Sequence, residues 1–246
     1  VGAAGGLLSG LLGVGGGLLM VPLLIALAGM DQRRAATTSL VAIVPTALAG
    51  SVNYLAHGEA DLRLAAVVAV GGVAGSWLGT WLLRRTPVAV LRWLFVGFLL
   101  LVALRMVLVE PVRAADLHLT AGTFAALLGI GVLMGLAAGM FGVGGGVVVV
   151  PALVVLGVGD LLARGTSLLV MVPTSTVGTI ANVRARAVDL QTGLIVGGAA
   201  TVASTGGVAL AFALPARTAA LLYALLLVVS AVQLALRAVR LQRRGR

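Results

Sequence analysis

Two short stretches hold the residues best able to do chemistry. Residues 10–22 read GLLGVGGGLLMVP and residues 139–151 read GMFGVGGGVVVVP. Each sets a glycine cluster and a proline inside an apolar run, although glycine costs a helix about 1 kcal/mol relative to alanine and proline about 3. Broken backbone at membrane depth is tolerated only inside protein or along a wet cavity. A glycine cluster can turn successive backbone N–H groups towards one point. Together with the start of the helix that follows, over 18–29 or 147–157, it forms a nest that attracts an anion. Gly13, Gly15, Gly16, Gly17, Gly142, Gly144, Gly145 and Gly146 are therefore candidate anion-binding residues. Close helix packing is the competing use of small residues. It is the better account of the scattered Gly71, Gly75 and Gly79.

Polar side chains near these breaks complete a candidate site. Thr37, Thr38 and Ser39 open one predicted helix, and Thr166 and Ser167 open another. They are either N-caps or substrate ligands. Pro45-Thr46 and Pro173-Thr174-Ser175-Thr176 lie mid-span. Their hydroxyls either re-satisfy a kinked backbone or line a path. Asn53 and Asn182 are the only asparagines in the chain; each is either an interhelical hydrogen bond or a substrate donor. The side chains assigned to substrate are thus Thr38, Ser39, Asn53, Thr166, Ser167, Thr174 and Asn182. His57 reads as a solvated loop residue, and His118 has less claim still. Arg164, Arg184 and Arg186 read as interfacial anchors, or as charges that draw anions to an entrance.

Catalytic chemistry finds little support. The chain has no cysteine and no lysine, which removes thiolates and the P-loop. Asp31, Glu59, Asp61, Glu110, Asp116, Asp160 and Asp189 are its only acidic residues, all in or beside predicted loops. No catalytic residue, metal site or cofactor is expected. An intramembrane enzyme acting on a lipid-linked anion is a weak alternative, because it would need a general base, a metal or an activated nucleophile. An anion-selective channel is the other.

The elements that must position these residues follow from composition. The chain is 246 residues long, 61% hydrophobic and 10% charged. A soluble domain averages about 25% charged residues, so this is a membrane protein and the lipid bilayer is its partner. All 17 basic residues are arginine and cluster at the ends of apolar segments. That pattern is juxtamembrane anchoring, not nucleic-acid binding. Trp77, Trp81 and Trp93 fit the same interface. The chain starts at Val1, and residues upstream of it are expected; no cleavable signal peptide is recognisable.

Segments 36–56, 64–83, 88–109, 165–183, 190–212 and 216–236 are each about the 20 residues that a spanning helix needs. The stretches 2–29 and 119–158 each contain one glycine cluster. The two halves match at an interval of about 128 residues. TSLVAIVPT at 38–46 pairs with TSLLVMVPT at 166–174, Asp61-Leu62 with Asp189-Leu190, and Pro87 with Pro215. The expected division is repeat 1 over 1–110, a linker at 111–118, and repeat 2 with its basic tail over 119–246. If both glycine segments are re-entrant, one membrane face holds 12 arginines and the other 5; if both span, the counts are 7 and 10. The positive-inside rule prefers the first arrangement. The expected fold is an all-α polytopic membrane protein of two inverted tandem repeats, each a broken, re-entrant helical segment plus three transmembrane helices. Both termini are then cytoplasmic.

GLLGVGGGLLMVPLL and GMFGVGGGVVVVPAL, with TSL after each and a Pro-Thr step in the next helix, resemble the duplicated motif of the sulfite exporter TauE/SafE family. The likeness covers essentially the whole chain. It implies a secondary transporter in the cytoplasmic membrane, moving a small sulfur-containing anion such as sulfite, sulfoacetate or a related organosulfonate. Alternating access about a central site would achieve this, with export the natural direction and a homodimer a candidate assembly.

Overall fold

The computed structural model describes residues 1–108 and 120–244, and their regular structure is helical. The expected linker at 111–118, with Glu110, Arg113, Asp116 and His118, lies outside the described residues. Ten helices follow in order among the described residues: α1 (Gly2–Leu12), α2 (Gly17–Leu27), α3 (Gln32–Ala56), α4 (Leu62–Arg85), α5 (Val88–Leu108), α6 (Ala121–Phe141), α7 (Gly146–Val155), α8 (Asp160–Arg184), α9 (Leu190–Ala213) and α10 (Ala216–Arg244). Helices α3, α4, α6, α8 and α9 are long and apolar enough to cross a membrane.

Two boundaries differ from expectation. Helix α3 begins at Gln32, where the Asp31 side chain caps it by accepting from Arg34 N–H at 2.8 Å. Helix α8 begins at Asp160. Hydropathy marked only the lipid-length core of each and missed the polar first turn. Thr37, Thr38, Ser39, Thr166 and Ser167 are therefore interior helical residues, and the N-cap reading of them is corrected. The second broken segment differs too. At 21 residues, α6 is about 31 Å long, enough to cross by itself.

Helix directions follow from which residues meet. Gly2, Gly6 and Gly10 of α1 abut Val196, Ala200 and Ser204 of α9, so these two helices run parallel. Gly71, Gly75 and Gly79 of α4 abut Leu128, Val132 and Leu136 of α6, again in parallel. In both pairs a Cβ on the glycine would strike a backbone carbonyl, so close packing is the role of these glycines. Gly193 and Gly197 of α9 meet Val41 and Ala42 of α3 in parallel, while Gly72 and Gly178 place α4 parallel to α8. Helices α3 and α8 are antiparallel: Gly50 meets Leu168, and Leu40 meets Gly178.

It follows that α1 and α3 run the same way, so α2 must bring the chain back between them. By the same logic α7 reverses α6 before α8 begins. Each glycine break is a reversal of the chain inside the helical bundle.

Candidate functional site

Both reversals have the same backbone. Gly13, Gly15 and Gly16 have φ of 66°, 76° and 68°; Gly142, Gly144 and Gly145 have 70°, 81° and 84°. Only glycine enters this left-handed region without strain. Gly13 N–H donates to Ser9 O and Gly142 N–H to Ala138 O, both at 2.9 Å, closing α1 and α6. The next acceptor used inside each break is a glycine carbonyl. Gly16 O accepts from Leu19 and Met20, and Gly145 O from Val148 and Val149.

Between those bonds stand the N–H groups of Val14 to Leu18 and of Val143 to Val147. All these residues are buried, and none of their amides has an acceptor among the described residues. An unsatisfied buried donor costs about 1–3 kcal/mol. Two runs of five such donors are free, among the described residues, to receive an acceptor such as water or an anion.

The two breaks meet at the middle of the bundle. A Cβ on Gly15 or on Gly144 would collide with the Met171 methyl, and Ile43 lies beside both. Ile43 and Met171 are the twelfth of 25 residues in α3 and in α8. The centre thus holds two apolar side chains: one stiff and β-branched, the other unbranched and adaptable.

Hydroxyls tie each break to the opposite half of the chain. Ser39 Oγ donates to Gly142 O at 2.6 Å, and Ser167 Oγ donates to Gly13 O at 2.8 Å. Thr38 Oγ1 accepts from Asp189 N–H at 3.4 Å, and Thr166 Oγ1 accepts from Asp61 N–H at 2.9 Å. Thr174 Oγ1 donates to Val170 O at 3.0 Å within its own helix, while its carbonyl accepts from Ser76. Asn53 Nδ2 donates to Ala49 O at 2.9 Å, also on its own helix. Asn182 is fully buried, and neither atom of its amide has a partner. The structure therefore brings the eight glycines, Ser39 and Ser167 together. It places Thr38 and Thr166 at the loops and Asn53 apart.

Arg164 requires a correction. It is 3% exposed, not an interfacial anchor. Its guanidinium pairs with Asp160 and donates through Nη1 to Leu11 O at 2.6 Å. Tyr54, also fully buried, donates its hydroxyl to Gly10 O at 2.9 Å. These two side chains hold the last turn of α1. Sequence reading placed Arg164 at the interface and missed Tyr54; the signal for Arg164 was the stripe Arg164, Leu168, Met171, Ser175, Asn182, which repeats at helical spacing. His57 is exposed, with Nδ1 at 2.8 Å from Asn53 O, as a loop residue would be. Trp81 is covered by the Arg85 guanidinium at 4.2 Å.

The model of the family described as sulfite exporter TauE/SafE matches residues 1–157 and again 127–246. A probable membrane transporter protein of Bacillus subtilis, YdhB, is 27% identical over 190 residues, covering 75% of this chain and 77% of that protein. A second from the same organism, YunE, is 26% identical over 206 residues, covering 74% and 76%. The probable membrane transporter protein MamO of Magnetospirillum gryphiswaldense is 34% identical over 109 residues, covering 41% of this chain and 17% of its own length. No solved structure matches. With the doubled family match spanning the chain and paired glycine reversals at its centre, this protein belongs to the sulfite exporter TauE/SafE family of membrane transporters.

Proposed function

We propose that the protein is a secondary carrier for a sulfur-containing oxyanion, built as two inverted repeats that rock about the paired glycine breaks. The observation that carries this reading is the two runs of buried, acceptorless amides that flank Ile43 and Met171. An oxyanion presents several acceptor oxygens and would replace water on those donors. Met171 must swing aside to admit it, which its three rotatable bonds allow. The antiparallel run of α3 and α8 supports inversion, because a two-fold relating contacting antiparallel helices lies across them. Arg33, Arg34, Arg84, Arg85, Arg184 and Arg186 then share one face with the start of α3 and the end of α8. The positive-inside rule makes that face cytoplasmic.

An inside-negative potential favours anion efflux by about 2.3 kcal/mol per charge per 100 mV, so export needs no coupling ion. The test is uptake of labelled sulfite into proteoliposomes. The expected flux is saturable, stimulated by counter-flow and sensitive to membrane potential. Flux that neither saturates nor shows counter-flow would indicate a channel, and no flux with any sulfur oxyanion would end this reading.

A further inference from the structure

The two ends of the α3–α8 contact are built differently, and the difference points to a route. At the 128-residue interval, Asp160, Arg164 and Tyr54 at one end correspond to Gln32, Ala36 and Asn182 at the other. At the first end the large polar side chains are engaged, Arg164 with Asp160 and Leu11 O and Tyr54 with Gly10 O, and Ser9 Oγ is the buried hydroxyl of that turn without a partner. At the second end the bulky tyrosine and arginine are replaced by asparagine and alanine. Thr37 and Arg34 are paired there, with Ala187 O and Asp189, but the groups facing inward are not. Gln32 is 1% exposed and Asn182 0%, and all four of their amide atoms lack partners. Ser175 Oγ and Thr179 Oγ1 lack them as well.

These groups share a path. Ser175, Thr179 and Asn182 recur at four- and three-residue spacing, so they stack on one face of α8. Gly178, beside them, touches Leu40 of α3. Gln32 lies on the α3 stripe of Ile43 and Gly50, which meets Gly144 and Leu168. The stripe leads from Met171 to the end where Arg33, Arg34 and Arg186 line a surface cavity of ≈ 350 Å³. Arg33 Nε is buried there without a partner. Arg186 holds a left-handed φ of 53°, which is uncommon for a side-chain-bearing residue. Asp31 is the one carboxylate in the cavity lining.

We infer that the face lined by Gln32, Ser175, Thr179 and Asn182 is the hydrated route by which the oxyanion passes between the arginine-rimmed mouth and the glycine breaks, and that Arg164, Asp160 and Tyr54 close the opposite end. Buried polar groups without protein partners need water or ligand, and neutral amides and hydroxyls pass an anion along without trapping it. Arg34 at the mouth is paired with Asp189 at 3.0 Å, so Arg33 and Arg186 are the arginines that raise the local anion concentration. The inference rests on the transport reading for what travels the route, but the route itself is tested without flux.

The chain has no cysteine, so single cysteines report accessibility without background. Ser175→Cys, Asn182→Cys and a mouth reporter, Val188→Cys, would be treated with sulfonate-bearing or trimethylammonium-bearing methanethiosulfonates in vesicles of each orientation. Ser175→Cys and Asn182→Cys should react from the same side as Val188→Cys, with the anionic reagent faster by about tenfold. Arg33→Gln with Arg186→Gln should erase that preference. Ala47→Cys and Ser51→Cys, the counterparts of Ser175 and Thr179, should stay unreactive from both sides. Unreactive Ser175→Cys and Asn182→Cys beside a reactive Val188→Cys would overturn the route. Equal labelling of Ala47→Cys would overturn its one-sidedness, and equal rates for the two reagents would overturn the arginine mouth. Absent sulfite flux with this labelling pattern intact would sink the carrier, not the route.

Discussion

The break between α1 and α2 and the break between α6 and α7 share a backbone and differ in what surrounds it. Their positive-φ glycines correspond one for one, and a serine of the other half holds the first carbonyl of each. Around them the side chains change. Gly16 rests on the bare backbone of Gly5, with Met20 filling the space beside it, whereas Gly145 rests on Met134. The last turn of α1 is tied down by Arg164 and Tyr54, and their counterparts Ala36 and Asn182 can offer α6 no such tie of equal reach. The donor geometry occurs twice, while one end is tied by a buried ion pair and a tyrosine and the other is not. The proposed carrier would need such an asymmetry, since its two ends could not be open together.

The comparison can be broken by substitution at its strongest shared point. Gly16→Val and Gly145→Val each force a β-branched residue to positive φ, a strain of about 1–3 kcal/mol, and drive a side chain into Gly5 or Met134. Both variants should lose flux in proteoliposomes by at least about tenfold while still eluting as folded protein. Loss in one and not the other would mean that a single break binds the anion.

Next in size is Arg164→Met. It leaves Asp160 without its partner and Leu11 O without its donor, a loss of about 3–5 kcal/mol for a broken buried pair. A clear fall in Tm in detergent is expected, and adding Asp160→Asn should recover part of it. An unchanged Tm would mean that this end is not held shut by the pair.

A pair of opposite signs sharpens the contrast. Tyr54→Phe removes one satisfied hydrogen bond and should cost about 1 kcal/mol. Asn182→Leu removes an amide that has no partner, so it should hold or raise Tm while lowering flux. If both variants lose stability equally, the two ends are equally packed.

The smallest effect lies at the loop before α9. The Thr192 backbone N–H, with help from Arg34, holds the Asp189 carboxyl below its ordinary value of 3.8. A depressed folded value means that its stabilisation is complete above pH 3.8 and is lost as pH falls through the folded value. Asp189→Asn should flatten a Tm-versus-pH curve only in that acid range. A difference persisting at neutral pH beyond the lost hydrogen bonds would refute it.

Much of this was legible in the residues. Positive φ inside an apolar run demands glycine, so both breaks and their repeat spacing were visible. The arginine distribution was the ground for expecting inverted repeats, an arrangement that stays part of the proposal. Helix starts were not, because Asp31-Gln32-Arg33-Arg34 reads as a loop by hydropathy and yet forms the first turn of α3. Nor was the role of Ser39 and Ser167, since a serine that reaches a carbonyl of the other half looks like a cap in one dimension. Arg164 was misjudged for a related reason. An arginine at the end of an apolar segment is ordinarily solvated, and only the packed last turn of α1 explains why this one is buried. Asn53 and Asn182 looked like counterparts and lie one position out of register, enough to send one towards its own helix and the other inward.

The crossed serine bonds have one more consequence. Neither half of the chain contains the hydroxyl that shapes its own reversal, so neither can assemble a complete site by itself. Expressed as two fragments cut within 111–118, the halves should work only when made together.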